Sequence, residues 1–278
     1  MIVKYVSSEG VEVNLNRNPY KMLVSDIIDY EWEVVSQANR ISGFRRTIKK
    51  KKLNIDVHRT QDGSARRHIS SLTNIFENDL QKKKTGRIYI DDNYMDCYIY
   101  ASEKNKWETG NIIQCEYSLV TDCPFWITEK TFQFARYKGD GTRKFLNFPF
   151  NFPYNFTGVK KGVGVLANDN YAPAHFTMLI YGNNYASIEN PSVEIGGYTY
   201  TAHTTVNDME TLRIDSKNRT IKKILANGTE VDEFNSRNFH SSVFEKIKPG
   251  TQTVKWSGEY DIILTIYQER SEPRWNPE

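Results

Sequence analysis

The side chains that most often carry chemistry are scattered along this chain. The histidines are His58, His68, His175, His203 and His240. Zinc sites of the common kinds place two ligands close together, as in His-x-x-x-His or Cys-x-x-Cys. No histidine pair has that spacing, and none stands beside a cysteine at such a distance. Surface or packed histidines are the expectation, with no metal ligand among them. Cys97, Cys115 and Cys123 form an odd set without paired spacing. That pattern fits reduced thiols in a protein folded in a cytoplasm better than a disulfide framework. A serine nucleophile on a strand-to-helix elbow needs Gly-x-Ser-x-Gly, which is absent. Gly162-Val163-Gly164 lacks the third glycine of a dinucleotide loop and reads as a turn or strand glycine pair. Asp91, Asp92, Asp208 and Glu210 are the kind of carboxylates a glycosidase would place across a cleft. Their surroundings read instead as solvated turns. The expectation is therefore no catalytic residue, no cofactor and no enzyme.

The strongest charge feature is the basic run Arg45 to Lys52, which includes Lys49, Lys50, Lys51 and Lys52 in succession. It suits an acidic partner surface, or DNA passing through a ring. A solvated edge strand or hairpin is the simpler reading, since lysine on an edge blocks wrong pairing. The run lacks the interleaved aromatics of a single-strand binding groove. Across the chain, 37 basic residues nearly balance 34 acidic ones. That balance argues against nucleic acid as a partner for the whole protein. Tyrosine and phenylalanine, at 17 and 14, suit strands and contact surfaces. The opening residues Met1 to Tyr5 lack the features of a signal peptide. No apolar stretch approaches the roughly 18 residues of a membrane span. A soluble protein with no membrane partner is expected.

The elements that position these groups are mostly strands, in a chain long enough for two domains. Short β runs are expected at Ile2–Val6, Val11–Leu15 and Tyr30–Val35. Leu53, Ile55 and Val57 alternate with polar residues, as in a half-buried strand. From Arg66 to Lys82 the period changes. Ile69, Leu72, Ile75, Phe76 and Leu80 form one stripe of an amphipathic helix. Asp62 or Ser64 would cap its start, and Lys82 to Lys84 would favour its C-terminal dipole. Strands follow at Arg87–Ile90, Tyr94–Tyr100 and Ile112–Val120, with a turn at Asp92-Asn93 and a break at Gly110. Strands around a single helix predict an α+β domain over residues 1–130 with a mainly antiparallel sheet.

Residues 136–147 read as a connection. The tract Phe145 to Phe156 then alternates aromatics with Asn and Pro, and its prolines keep it out of a central strand. Beyond it, turn signals recur between short strands. Gly196-Gly197 joins Val193–Ile195 to Tyr198–Val206. Asp215 to Asn218 joins Leu212–Ile214 to Arg219–Leu225, and Asn227-Gly228 is a type I′ candidate. Ala174–Tyr181, Thr251–Trp256 and Tyr260–Tyr267 complete a β-sandwich over about 145–270 with no expected helix.

Several of these segments, taken in order, resemble the distal tail protein (Dit) family of long-tailed phages. They are the tract Asn147 to Phe156, then Tyr181-Gly182, Asn190-Pro191, Leu212 to Ser216, Arg219 to Ile221 and Asn227-Gly228. Phe244, Ile247 to Gly250, Val254 to Ser257 and Tyr267 to Trp275 follow in the same order. The matching segments span about half the chain, and Gly43-Phe44 adds a weaker match in the first half. The resemblance implies a mainly β structural protein. Its N-terminal α+β domain would form a homo-oligomeric, typically hexameric ring, and its C-terminal domain would be a galectin-like β-sandwich. Such a ring joins the tail tube protein to tail-associated or tail-tip proteins, with receptor-binding or baseplate proteins as further partners. Nucleic acid would meet it only by passing through the lumen. Its place would be the distal end of a virion tail, assembled in the host bacterial cytoplasm. Related hubs occur in contractile tails and tail-like bacteriocins. A galectin-like shape also suggests a carbohydrate-binding module that attaches to wall glycans. Trp256 and Trp275 are candidates for stacking a sugar by residue type, with core packing the better expectation.

Overall fold

Burial alternates residue by residue along the longer strands of the computed structural model. The structure describes residues 1–61, 64–107, 111–136, 162–182 and 187–275, apart from the side chains of 105–107. The proposed Asp62 cap, the Gly110 break, the connection beyond Arg136 and the Phe145–Phe156 tract lie outside the described residues. The chain divides into two units. One comprises Met1–Thr128 with Glu269–Glu278, and the other Glu129–Gln268.

In the first unit, β1 (Val3–Val6), β2 (Glu12–Asn14) and β3 (Tyr20–Met22) come first. A hairpin of β4 (Glu33–Gln37) and β5 (Arg40–Arg45) precedes β6 (Lys49–His58) and the helix α1 (Ala65–Lys82). Then come β7 (Gly86–Ile90), β8 (Asn93–Trp107), β9 (Ile112–Thr121) and the start of β10 (Trp126–Phe134). The long strand β8 serves two antiparallel ladders. Its first half pairs β7, which continues to β1 and β2. Its second half pairs β9, then β6 and β3. The helix buries Ala65, Ile69, Leu72 and Phe76 against these strands. Each large apolar side chain so buried contributes roughly 1.5–3 kcal/mol. Tyr5, Phe76 and Tyr117 meet edge to face at 5.0 and 5.4 Å between centroids.

The helix ends follow their sequence signals. Ser64 caps the N-terminus by accepting from the Arg67 amide. Lys83 turns left-handed at φ 53° and stops the helix. The stripe differs at one point. Asp79 takes the fully buried position near the end, and Leu80 is only half-buried. The carboxylate is satisfied there. Tyr5 Oη donates to Oδ2 at 2.7 Å, and the Ser8 amide and hydroxyl donate to Oδ1 at 2.9 and 2.6 Å. Burial, then the neighbouring Cys97 and Asp79, push the Tyr5 phenol upward. Lys82 pairs with Glu9 in addition to facing the helix dipole.

In the second unit, the rest of β10 is followed by β11 (Gly162–Asn168), β12 (His175–Tyr181), β13 (Ile188–Glu189) and β14 (Ser192–Ile195). Then come β15 (Tyr198–Thr201), β16 (Thr205–Val206), β17 (Thr211–Asp215) and β18 (Thr220–Ile224). The last are β19 (Glu230–Asp232), β20 (Gly250–Trp256) and β21 (Asp261–Arg270). One sheet runs β19-β18-β17-β12-β21-β10, and the other β11-β20-β14-β15. Phe176, Met178, Ile180, Ile262, Leu264 and Ile266 from the first share a core with Leu166, Val193, Ile195 and Val254 from the second. This is a two-sheet sandwich.

Gly196 and Gly197 both have positive φ, at 58° and 82°, and close the expected two-residue turn. Two turn expectations are corrected. Ile90 pairs with Asn93, so the first hairpin turns at Asp91-Asp92, one residue early. Asn93 is drawn into β8 because its buried amide bonds the chain elsewhere. Asn227-Gly228 is not type I′, which needs positive φ at both residues. Only Gly228 has it, at 83°, in a wider loop closed by the Gly228 amide on the Leu225 carbonyl at 2.8 Å. Gly162 and Gly164 lie in a strand, where a Cβ would come within 2.3 Å of the Trp256 ring and 2.5 Å of the Phe134 ring. The pair makes room for aromatics. Among the described residues the second unit has a single 3₁₀ turn, Phe234–Ser236, and no α-helix.

Candidate assembly surface

Residues 24–48 concentrate apolar side chains on the outside. Val24, Tyr30, Trp32, Val34, Ile41, Phe44 and Ile48 are all exposed. The hairpin β4–β5 orders part of this set. It pairs only with itself among the described strands. It turns at Ala38 and Asn39, with φ of 49° and 60°. Asn tolerates that conformation, whereas Ala does so at a cost of roughly 1–2 kcal/mol. Val34 stands opposite Phe44, and a bulge then shifts the register, so that Ser36 opposes Ile41. The bulge corrects the parity. Without it Ile41 and Phe44, three residues apart, would point to opposite faces. With it Val34, Ile41 and Phe44 share one face, at 53%, 66% and 59% exposure. The opposite face carries Glu33 and Arg45, paired at 2.9 and 3.1 Å. That pair holds Glu33 below and Arg45 above their ordinary values.

The base of the hairpin is firmly set. The Arg46 guanidinium lies 4.7 Å from the Phe125 ring centre, 5.3 Å from Trp32 and 5.8 Å from Tyr30. Trp32 Nε1 donates to Ser271 Oγ at 3.3 Å. The basic run is only partly solvated, contrary to the simple edge reading. Lys50 and Lys52 are exposed, but Lys51 is buried. Its ammonium donates to the Asp26 carbonyl at 2.9 Å and to the Asp29 carbonyl. Burial pulls its pKa down, against the pull of Asp26 and Asp29. Lys52 and Lys49 pair with Glu116 and Glu31. The run is therefore largely committed to this unit's own acids and carbonyls.

The residues singled out for chemistry are not brought together. His68 Nε2 lies 2.9 Å from Thr60 Oγ1, and His175 Nδ1 lies 3.3 Å from Ser216 Oγ. Burial, with Lys246 and Lys217 nearby, lowers His175 to about 4. The backbones of His203 and His240 donate to the Ser236 carbonyl and to Asn238, and His58 ends β6. Among the described residues no three of His, Cys, Asp and Glu could share a metal ion. Asp91 and Glu210 each accept a backbone amide, from Ile2 and Asn207, and Asp208 lies in a turn. Cys97 and Cys115 are buried thiols, and burial pushes Cys97 up to about 12.

The two tryptophans differ. Trp256 is 6% exposed, packs on Phe134 at 5.7 Å and donates to the Tyr260 carbonyl at 3.0 Å. A groove of about 580 Å³ opens beside it, lined in part by Glu189, Glu194, Lys255 and Glu259. Lys255 and Glu194 are already paired there at 2.8 Å. The groove offers little of the Trp256 ring for a sugar to stack on. Trp275 is 54% exposed. The segment from Glu272 is docked as far as Trp275: Pro273 is buried and Arg274 is bonded to Asn93. Residues 276–278 lie outside the described residues.

No family model and no curated protein matches the sequence. Solved structures do match. The SPP1 Dit (gp 19.1) protein, described as a paradigm of the hub adsorption apparatus in phages infecting Gram-positive bacteria, aligns over 97% of this chain and 100% of its own. The identity is 10% and the TM-score 0.60. A chain of the phage p2 baseplate in its activated conformation with Ca aligns over 98% and 100%, at 10% identity and TM-score 0.63. Its counterpart with Sr aligns over 98% and 99%, at 11% identity and TM-score 0.63. The likeness is one of fold. It bears out the expected mainly β architecture and its similarity to distal tail proteins.

Proposed function

We propose that this chain is a structural hub at the distal end of a phage or phage-like tail, working as a closed ring of its own copies. Residues 1–130 would form the ring and dock the tail tube, and the sandwich over 145–270 would project toward tail-tip or baseplate proteins. The hub role of SPP1 Dit supports this reading through the shared fold. The observation that carries it is the hairpin β4–β5. A lone two-stranded hairpin is marginal in water, and this one presents Val34, Ile41 and Phe44 outward. Covering each would contribute roughly 1.5–3 kcal/mol. A neighbouring copy in a heterologous, ring-closing contact is the proposed cover.

The test is molar mass by light scattering across concentration and salt. The expected result is an oligomer of about six copies that survives dilution. Replacing Val34, Ile41 and Phe44 together by serine should leave a folded monomer, because none of the three is in the core. A triple variant that assembles like the parent would sink the hairpin as the ring contact.

A further inference from the structure

A cleft of about 450 Å³ in the first unit lies between Ile28, Asp29, Tyr30, Glu272 and Trp275. Tyr30 and Trp275 are each about half exposed. The Trp275 wall is held in place through the buried side chain of Asn93. Asn93, 4% exposed, accepts from the Arg274 amide at 3.1 Å and reaches the Arg274 carbonyl at 3.5 Å. Thr128 Oγ1 donates to the same Asn93 oxygen at 2.7 Å. Pro273 is buried, and Ser271 is bonded to Trp32. The short segment is thereby fixed with Glu272 and Trp275 on the cleft.

The lining selects its occupant by hydrogen-bond type. Carboxylates accept only, whereas guanidinium and ammonium groups donate only. Asp29 and Glu272 are the charged side chains of the lining. The Trp275 indole N–H is turned toward Glu272, at 3.5 Å. A sugar, whose hydroxyls both give and take, would find acceptors here but few donors. Aromatic faces beside carboxylates suit a planar cation. Such packing already occurs at the edge of the cleft, where Arg46 rests over Phe125, Trp32 and the Tyr30 wall, which makes Trp275 the ring to receive a second cation. Glu272 carries most of the attraction, because the Lys51 ammonium sits behind Asp29 on its backbone carbonyl.

We propose that this cleft receives an arginine side chain of a partner protein, its guanidinium on the Trp275 ring and its N–H groups on the Glu272 carboxylate. This does not depend on the ring reading, because the cleft belongs to one copy.

The test uses the full chain labelled with 5-fluorotryptophan, with Trp275→Phe identifying the Trp275 fluorine line. The probes are ethylguanidinium chloride, its neutral analogue ethylurea, and N-acetylglucosamine. The Trp275 line should shift saturably with ethylguanidinium and not with ethylurea. Glu272→Gln should weaken that response roughly fivefold. A Trp275 line unmoved by ethylguanidinium up to ~100 mM would overturn the proposal. So would an equal response to ethylurea, an undiminished response in Glu272→Gln, or a saturable shift with the sugar alone.

Discussion

In the second unit, two sheets press Phe176, Met178, Ile262 and Leu264 against Val193 and Val254, and a short, charged edge strand, Glu230–Asp232, closes one sheet. In the first unit a core of similar make-up surrounds Phe76 and Tyr117, yet residues 24–48 hold Val24, Tyr30, Val34, Ile41 and Phe44 outside it. Each unit has one buried polar side chain that gathers several bonds. Asp79 collects Tyr5 and Ser8 in one, and Asn168 bonds Ala172, Ile247 and Gln268 in the other. The difference lies in what each leaves uncovered. The second unit exposes Val163 and Val165 on an edge strand and Tyr171, Met209 and Phe239 in its loops, whereas the first sets Val34, Ile41 and Phe44 on one face of a hairpin that pairs only with itself. A unit that keeps an ordered apolar hairpin outside is shaped for company.

The sharpest way to break this comparison is to separate the units. A chain trimmed to residues 129–268 should fold and stay monomeric at every concentration, with assembly lost completely. Cooperative unfolding in denaturant would show it, and an unfolded remainder would mean that the sandwich is not self-sufficient. Next in size is the contrast between the tryptophans. Trp256→Ala should cost about 3–5 kcal/mol in denaturant midpoint, because it empties a core site. Trp275→Ala should stay within about 1 kcal/mol. Comparable losses would show that the exposed ring is structural too. In the first unit, Asp79→Ala should cost about 3 kcal/mol by stranding the Tyr5 hydroxyl and the Ser8 amide. Hydrogen exchange should place that loss in residues 1–128 and leave the sandwich protected.

The smallest effect concerns His175. Its folded pKa, about 4, lies below its ordinary 6.5. The unfolded chain therefore binds the extra proton more readily. Stability is fully present above pH 6.5 and falls as the pH drops toward 4. The group is only half-buried, so solvent screening should keep the loss below about 2 kcal/mol. His175→Gln should flatten this dependence in the second unit alone.

Much of this was legible in the sequence, for physical reasons. Alternation disclosed β6, whose one face is buried, and apolar runs bounded by turn signals disclosed β12 and β21. The change to a 3.6-residue period disclosed α1. Two adjacent glycines disclosed the β14–β15 turn. The hairpin β4–β5 was only half legible. Its turn residues, Ala38 and Asn39, carry no glycine, and its outward valine and phenylalanine contradict the rule that exposed faces are polar. Burial of Lys51 was hidden because its partners are backbone carbonyls, which have no sequence signature. Docking of Ser271 to Trp275 was hidden as well, since it depends on Asn93 and Trp32, far away along the chain. Long-range bonds of that kind leave no local pattern.

That docking also sets an order of events during translation. The first unit begins with Met1, yet Trp32 and Asn93 must wait for Ser271 and Arg274 to leave the ribosome. A chain that terminates anywhere within the sandwich lacks this clasp. In incomplete products Trp32 and Asn93 would therefore lack these distant partners.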